Sequence, residues 1–402
     1  VVHDEAGSGG AAPEPETIIM AEESITIPAR GSYLLLNAGA CAPLRVCYPP
    51  EVLQLLASSA APAGRLQAVD KASLLSDSYA MLRAGLAAPA EVLGFLRTLF
   101  AGEQDAFVWS VGVATLRRLH DVFGKEAPSM STFLSGLLVE QKARLGWAAS
   151  SAEGAEESDD DKLLRPAVLG LLGKCLDKEV GKEAEDYCRA YLCSEHPAPP
   201  PPPPGGERLS MKQAFSSNCP ACGALDTPQA GVRGIALKVA ASRNPLLWSG
   251  LLSRFSAASD SEERDQLLVA LMGHSDRVAL EAWLEKAFGG ELPAQEWATL
   301  FAGLSQNRHH ERIAWEMLVR HWDPVFKAWG QSQFKMKSIV ISSMTSAVSV
   351  GEAEAFFEAH PCDTVRRAVR QQLEALAADT ALRARAPQAE QALREIAARA
   401  TA

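Results

Sequence analysis

Eight histidines and eight cysteines are the side chains of this 402-residue chain best suited to bind a metal or attack a substrate. The histidines stand at 3, 120, 196, 274, 309, 310, 321 and 360. A zinc-hydrolase helix reads His-Glu-x-x-His, because residues four apart face one ion and the Glu beside the first His serves as general base. Only His310-Glu311-Arg312-Ile313-Ala314 approaches that spacing, and Ala314 occupies the place of the second ligand. One histidine cannot replace a three-ligand shell, so His310 is read as a helix-surface residue. No Gly-x-Ser-x-Gly elbow and no phosphate-binding Gly loop occurs.

The cysteines offer one tight spacing, Cys219-Pro220-Ala221-Cys222. With Cys188 and Cys193 it could make a four-thiolate zinc knuckle, although the Cys-x4-Cys half is loose. Disulfides stapling a loop, a redox pair, and plain thiols in a surface insertion are the other readings. Eight cysteines in so long a chain are too sparse for a disulfide scaffold, which leaves the compartment open.

The elements that must position such groups follow from composition and period. With 47% hydrophobic and 22% charged residues, the chain can bury a sizeable core. A net charge of -10 argues against nucleic-acid binding. No apolar run reaches the roughly 18 residues a membrane-spanning helix needs. The chain starts Val1-Val2-His3 with no Met and no visible leader, which reads as a missing true N-terminus and leaves localisation open, the cytoplasm slightly favoured.

Residues 1–16 read as a disordered lead of Gly, Ala, Pro and acid. Strands are expected at 18–20, 24–27, 33–36 and 44–48, as the last strands of a small β-sandwich over 17–50. From 51 to 402 the period is helical. Pro89 opens a helix whose face is Val92, Leu93, Leu96, Leu99 and Phe100, and Gly102 closes it. Asp105 caps the next, with Phe107, Val108, Val111, Leu116, Leu119 and Phe123 inward. Ser259 to Glu262 fits a capping box ahead of Leu267, Leu268 and Leu271. Ser275 opens a helix with Val278, Leu280, Trp283 and Leu284 apolar. Trp109, Trp248, Trp283, Trp297, Trp315, Trp322 and Trp329 read as core anchors. Short helices joined by short turns, without a strict residue-level repeat, predict a mainly α fold: an irregular HEAT/armadillo-like α-solenoid. Two insertions interrupt it, an acidic loop at 151–161 and a proline-rich loop at 194–218.

A family resemblance rests on ordered motifs. Asn37-Ala38-Gly39-Ala40-Cys41-Ala42-Pro43-Leu44-Arg45-Val46-Cys47-Tyr48 resembles the Asn-x-Gly-Gln-x-Gly-Phe-Tyr-Arg-Val-x-Tyr segment of the aminopeptidase N / puromycin-sensitive aminopeptidase family. Asn37, Gly39, Arg45, Val46 and Tyr48 match, while Ala42, Pro43 and Leu44 depart. Leu66 to Asp77 resembles Leu-x-x-x-Asp-Arg-x-x-Leu-x-x-Asp, with Asp70 and Asp77 kept and Lys71 replacing Arg. Leu145-Gly146-Trp147 and Leu163-Leu164-Arg165 are similar to two further segments. Gln306-Asn307, Ala314-Trp315 and Arg320-His321-Trp322-Asp323 resemble the family's helix pair, and Phe356-Phe357-Glu358-Ala359-His360-Pro361 its Phe-Phe-x-x-His-Pro segment.

The resemblance implies the C-terminal helical domain of a zinc aminopeptidase that removes N-terminal residues from peptides. It implies a catalytic domain in the same polypeptide as partner, peptides as substrates, and a catalytic zinc whose ligands lie upstream of residue 1. Neither His-Glu-x-x-His nor the Gly-x-Met-Glu-Asn exopeptidase motif occurs in the chain, so it is expected to hold no catalytic zinc and to be inactive alone. Arg320, Arg366 and Arg367 are candidates to hold a peptide carboxylate in the cavity such a domain would shape. The alternative is a non-catalytic helical-repeat binding scaffold.

Overall fold

The structure, a computed structural model, describes residues 2–3, 16–19, 21–27, 33–148, 157–193 and 230–401. The chain is mainly α: eighteen α-helices run through these residues, with two strand segments of two residues each. It divides into two compact units.

The first unit comprises Val1–Arg144, Glu156–Leu171 and Ala378–Ala402. It holds α1 (Pro50–Leu55), α2 (Ala68–Arg83), α3 (Pro89–Phe100), α4 (Ala106–Phe123), most of α5 (Ser129–Leu145) and the final helix α18 (Ala386–Thr401). Pro89 supplies a preset φ at the start of α3, and Glu91 accepts the Ala88 amide at 2.7 Å. The Asp105 carboxylate accepts from the Val108 amide at 3.0 Å, as expected of a cap. Val92, Leu93, Leu96, Leu99 and Phe100 are buried, and Phe100 stacks on Trp109 with ring centroids 4.4 Å apart. Gly112 makes that approach possible, since a Cβ there would stand 2.4 Å from the Phe100 ring. Phe107, expected inward, is exposed: one residue before Val108 is about 100° round the helix, outside the buried stripe.

Among the expected strands, only Leu34–Leu35 pairs, antiparallel to Val2–His3 from the lead. Residues 18–19, 24–27 and 44–48 carry no strand. The reason is visible at 44–48: the Val46 amide goes to the Asp77 carboxylate of α2, so a side chain takes the place of a ladder partner. Residues 4–15 of the expected lead lie outside the described residues.

The expected acidic loop is helical from Asp159, where α6 (Asp159–Lys174) begins. Asp159, Asp160 and Asp161 fill its first turn, where carboxylates complement the exposed amides of a helix start. Residues 151–156 of that loop, the whole proline-rich loop, Cys219 and Cys222 lie outside the described residues.

The second unit comprises Leu145–Ala155 and Leu172–Ala377. It holds α7 (Lys178–Cys193), α8 (Ala230–Arg243), α9 (Trp248–Ala257), α10 (Ser261–Leu271), α11 (Arg277–Lys286), α12 (Trp297–Leu304), α13 (Ile313–Arg320), α14 (Trp322–Trp329), α15 (Gln333–Ser343), α16 (Val350–Ala359) and most of α17 (Arg366–Arg383). Packing runs as a row: α7 on α8, α8 on α10, α10 on α12, α12 on α15. The caps sit one residue beyond those expected. Asp260 rather than Ser259 accepts from Glu263, and Asp276 rather than Ser275 from Ala279. A carboxylate outcompetes a hydroxyl for the amides of a helix start because its charge meets the helix dipole. Val278, expected in the core, is therefore left exposed at the start of α11.

A period hidden in the sequence appears here. Bonds spaced 35 residues apart join Asn307 to the Met272 carbonyl, His310 to the Ser275 carbonyl, Arg312 to the Ala347 carbonyl, Arg320 to Glu285 and Trp329 to the Ala294 carbonyl. Four residue types coincide at that spacing: His274 with His309, Arg277 with Arg312, Ala279 with Ala314, and Glu281 with Glu316.

Candidate functional site

The family-like motifs converge on two clusters, one in each unit. In the first unit, the loop 37–48 is tied down on α2. Asn37 closes the loop on itself, donating to the Ala42 carbonyl at 3.1 Å and accepting the Ala42 amide at 2.9 Å. Gly39 has φ +70, a backbone that a side chain strains, and donates its amide to Asp70 at 2.7 Å. Asp70 also takes the Gln67 amide at the start of α2. Asp77 accepts from Arg45 at 2.8 Å and from the Val46 amide at 3.0 Å. The Tyr48 hydroxyl accepts the Leu36 amide at 2.7 Å and donates to the Leu36 carbonyl. Burial pushes the Tyr48 phenol up to about 12, so it stays a neutral donor and acceptor. Thus the loop and α2 form one assembly: buried Asp70 and Asp77 hold Gly39 and Arg45, while Asn37 and Tyr48 fix the loop's own backbone.

Beside this assembly lies an open groove of about 410 Å³. Its wall includes Ala42, Pro43 and Leu44, the residues where the loop departs from the family pattern, opposite Val69, Ala72 and Ser73 of α2. Lys71, standing where the family has Arg, reaches Glu103 at 2.7 Å, and both side chains are largely buried. Glu103 in turn receives the Gln104 and Asp105 amides. Sequence reasoning missed Glu103. Its only signal was a carboxylate two residues before the cap of α4.

In the second unit, Trp315 and Trp322 meet Phe356 and Phe357. The centroids of Trp315 and Trp322 each lie 5.2 Å from that of Phe356, in edge-to-face geometry. Trp322 also faces His360 at 5.8 Å. The Trp315 Nε1 donates to Glu352 at 2.8 Å, and Glu352 also holds Arg312 at 2.7 Å. Asp323 is exposed in the first turn of α14. The candidate arginines do not gather. Arg320 pairs with Glu285, Arg366 pairs with Asp363 three residues away, and Arg367 is exposed on α17.

The histidine nearest to a zinc motif is not on a helix. His310 precedes α13, with its amide held by Asn307 at 2.9 Å and its Nε2 2.9 Å from the Ser275 carbonyl. Asn307 explains why: one buried side chain takes the His309 and His310 amides and donates to the Met272 and His274 carbonyls, shaping a turn where a helix was expected. Ala314 is fully buried, so nothing there points at an ion. No three of His, Cys, Asp and Glu stand together as a metal shell among the described residues. The described residues thus offer no three-ligand shell of the kind a catalytic zinc needs. Of the cysteine candidates, Cys188 is buried with its thiol pushed up to about 12 by desolvation, while Cys193 is exposed. No helix among the described residues is long and apolar enough to cross a membrane.

Comparison with known proteins places this geometry. Residues 33–378 match the ERAP1-like C-terminal domain. The chain is 21% identical over 303 residues to glutamyl aminopeptidase of Mus musculus, covering 74% of the chain and 28% of that protein. It is 20% identical over 351 residues to the Homo sapiens glutamyl aminopeptidase, covering 85% and 33%. Aminopeptidase M1-A of Oryza sativa subsp. japonica is 24% identical over 348 residues, covering 85% and 36%. The chain spans about a third of the length of these relatives.

Proposed function

The chain belongs to the ERAP1-like C-terminal domain family, and from that premise we propose that it completes a zinc aminopeptidase without carrying its chemistry. In this reading the zinc shell, the general base and the anchors for the substrate amine come from another domain of the same polypeptide. Zinc supplies an activated water there. This chain's residues do other work. The loop 37–48 is clamped through Asp70 and Asp77 to α2, the first long helix of the helical domain. The bonds spaced by 35 residues in the second unit support a reading of that unit as stacked helix pairs, an irregular α-solenoid. Such a surface would cover the active site, shape a peptide cavity and exclude folded proteins. Arg367 is exposed and could meet a peptide carboxylate; Arg320 and Arg366 would first have to release Glu285 and Asp363.

The observation that carries the reading is the clamp. Motif residues far apart in sequence are bonded in pairs, Gly39 to Asp70 and both Arg45 and Val46 to Asp77, which is what a shared fold requires and chance similarity does not supply. The test has two parts. The purified chain, supplied with zinc, is assayed on aminoacyl-amide substrates, and no turnover is expected. Zinc-dependent, chelator-sensitive hydrolysis would overturn the reading. The transcript upstream of Val1 is then sequenced: a His-Glu-x-x-His motif is expected, and a start codon immediately before Val1 would favour a free-standing scaffold instead.

A further inference from the structure

The C-terminal end of α8 and the turn between α12 and α13 bring basic groups together in the second unit. Lys238 of α8 donates to the Gln306 side chain, and His309 Nε2 lies 2.7 Å from the Ser242 carbonyl. These bonds pin the turn to the helix end and so join the segment of Arg308, next to His309, to that of Arg243, next to Ser242. Gly181 of α7 seats Arg243, since a Cβ there would fall 2.2 Å from the guanidinium carbon.

The carboxylate supply at this place is short. Glu185 is divided among three donors: Arg243 at 3.5 Å, Arg189 at 3.5 Å and Asn244 at 3.3 Å. None reaches the roughly 2.7–2.9 Å of a charge-assisted bond. The Arg243 Nε makes no hydrogen bond, and exposed Arg308 has no ion pair among the described residues. Elsewhere in the same unit arginines are well served: Arg277 meets Glu316 at 2.6 Å, Arg312 meets Glu352 at 2.7 Å and Arg320 meets Glu285 at 2.8 Å. Two neighbouring guanidinium groups whose one carboxylate, Glu185, is distant and shared repel, and an anion between them relieves that cost. Desolvation, then the Arg243 charge, lowers the Arg308 pKa. A helix C-terminus alone accounts for one cation, and Lys238 and His309 already attend this end of α8.

We propose that Arg243 and Arg308 form a subsite for one oxyanion, a carboxylate or a phosphate, gripped between their two guanidinium groups. Guanidinium presents paired donors that match such oxygens in a plane. Two sources share that chemistry: acidic groups of a peptide, and a free inorganic anion. Calorimetric titration of the 402-residue chain with inorganic phosphate, with a pentaglutamate peptide and with its glutamine counterpart separates them. Saturable binding of phosphate or pentaglutamate is expected, and none of the glutamine peptide. R308Q, at an exposed unpaired position, should fold normally and bind about tenfold more weakly or worse. R370Q, removing an exposed arginine elsewhere in the unit, should bind as the parent does. Gly181→Ala should also weaken binding by displacing Arg243. In phosphate-free, low-salt buffer R308Q should melt no lower than the parent. Only the peptide arm rests on the function proposed above; phosphate binding without peptide binding supports the subsite and assigns it to a free anion. Absence of saturable binding by either probe overturns the proposal. So does unchanged affinity in R308Q, or an equal loss in R370Q.

Discussion

Asp77 carries more of the first unit than its place on a helix suggests. Its carboxylate is nearly buried and accepts from both a guanidinium and a backbone amide of the loop 37–48. Asp77→Ala would leave the Val46 amide without its acceptor and cut Arg45 loose. The cost of stranding such partners is about 2–4 kcal/mol. Proteolysis within residues 37–48 should accelerate accordingly, and an unaltered cleavage rate would contradict the clamp. His274 gives a second prediction at this scale. It stacks on Trp248 with centroids 4.6 Å apart, and its Nδ1 is buried without a partner. Burial lowers its pKa below 6.5, the charges of His309 and His310 add to that, and Asp276 opposes it. The unfolded chain therefore takes up this proton at a higher pH than the folded one. The stability linked to His274 is present above the unfolded value near 6.5 and is lost as pH falls through it toward the lower folded value. Melting temperature should drop from about pH 7.5 to about pH 5.5. In His274→Phe, which keeps a stacked ring and removes the proton site, that drop should shrink. A slope equal to the parent's would assign the effect to other groups.

Among elements, the closest approaches are made where glycine faces a neighbouring helix. A Cβ on Gly303 of α12 would lie 2.8 Å from Met272 Cγ and 3.2 Å from the Val269 Cα on α10. Gly303→Ala gains about 1 kcal/mol of helix propensity and pays roughly 1–3 kcal/mol in overpacking, for a net loss of about 1 kcal/mol. A variant that melts higher than the parent would show that α10 and α12 have slack. The seam joining α13 and α14 to α16 is aromatic, and Trp322 sits at its centre with little exposure. Trp322→Ala should cost about 3–5 kcal/mol, through lost burial and the cavity left behind. Chemical denaturation followed by the remaining tryptophans measures it. A loss below about 1 kcal/mol would mean the seam reseals.

For the whole molecule, two compact units in one chain make a single unfolding free energy ill-defined. Asp77→Ala lies in the first unit and Trp322→Ala in the second, so their effects should add in the double variant to within about 0.5 kcal/mol. Hydrogen exchange should show each substitution raising exchange chiefly in its own unit. Uniform acceleration across both would make the chain one cooperative body. A ladder of ion pairs links α11, α13 and α16: Arg277 with Glu281 and Glu316, then Arg312 with Glu316 and Glu352. These pairs are partly exposed, so salt should weaken them, and each adds only about 0–1 kcal/mol.

The sequence by itself determined the mainly helical class, the ends of helices such as Pro89–Phe100, the tryptophan anchors and the family. Those are local matters of period, capping and motif order. The tertiary structure decided the rest. Val46 reads as strand by alternation, yet its amide belongs to Asp77, because the acceptor comes from 31 residues away. His310 reads as helix surface, yet Asn307 turns the chain there. The 35-residue period escaped the sequence because only four residue types coincide across its clearest pair, from His274 to Glu316, while the bonds that define it go largely to backbone carbonyls, which every residue carries. Carbonyl acceptors leave no trace in residue type, so a repeat built on them is legible only once the helices have packed.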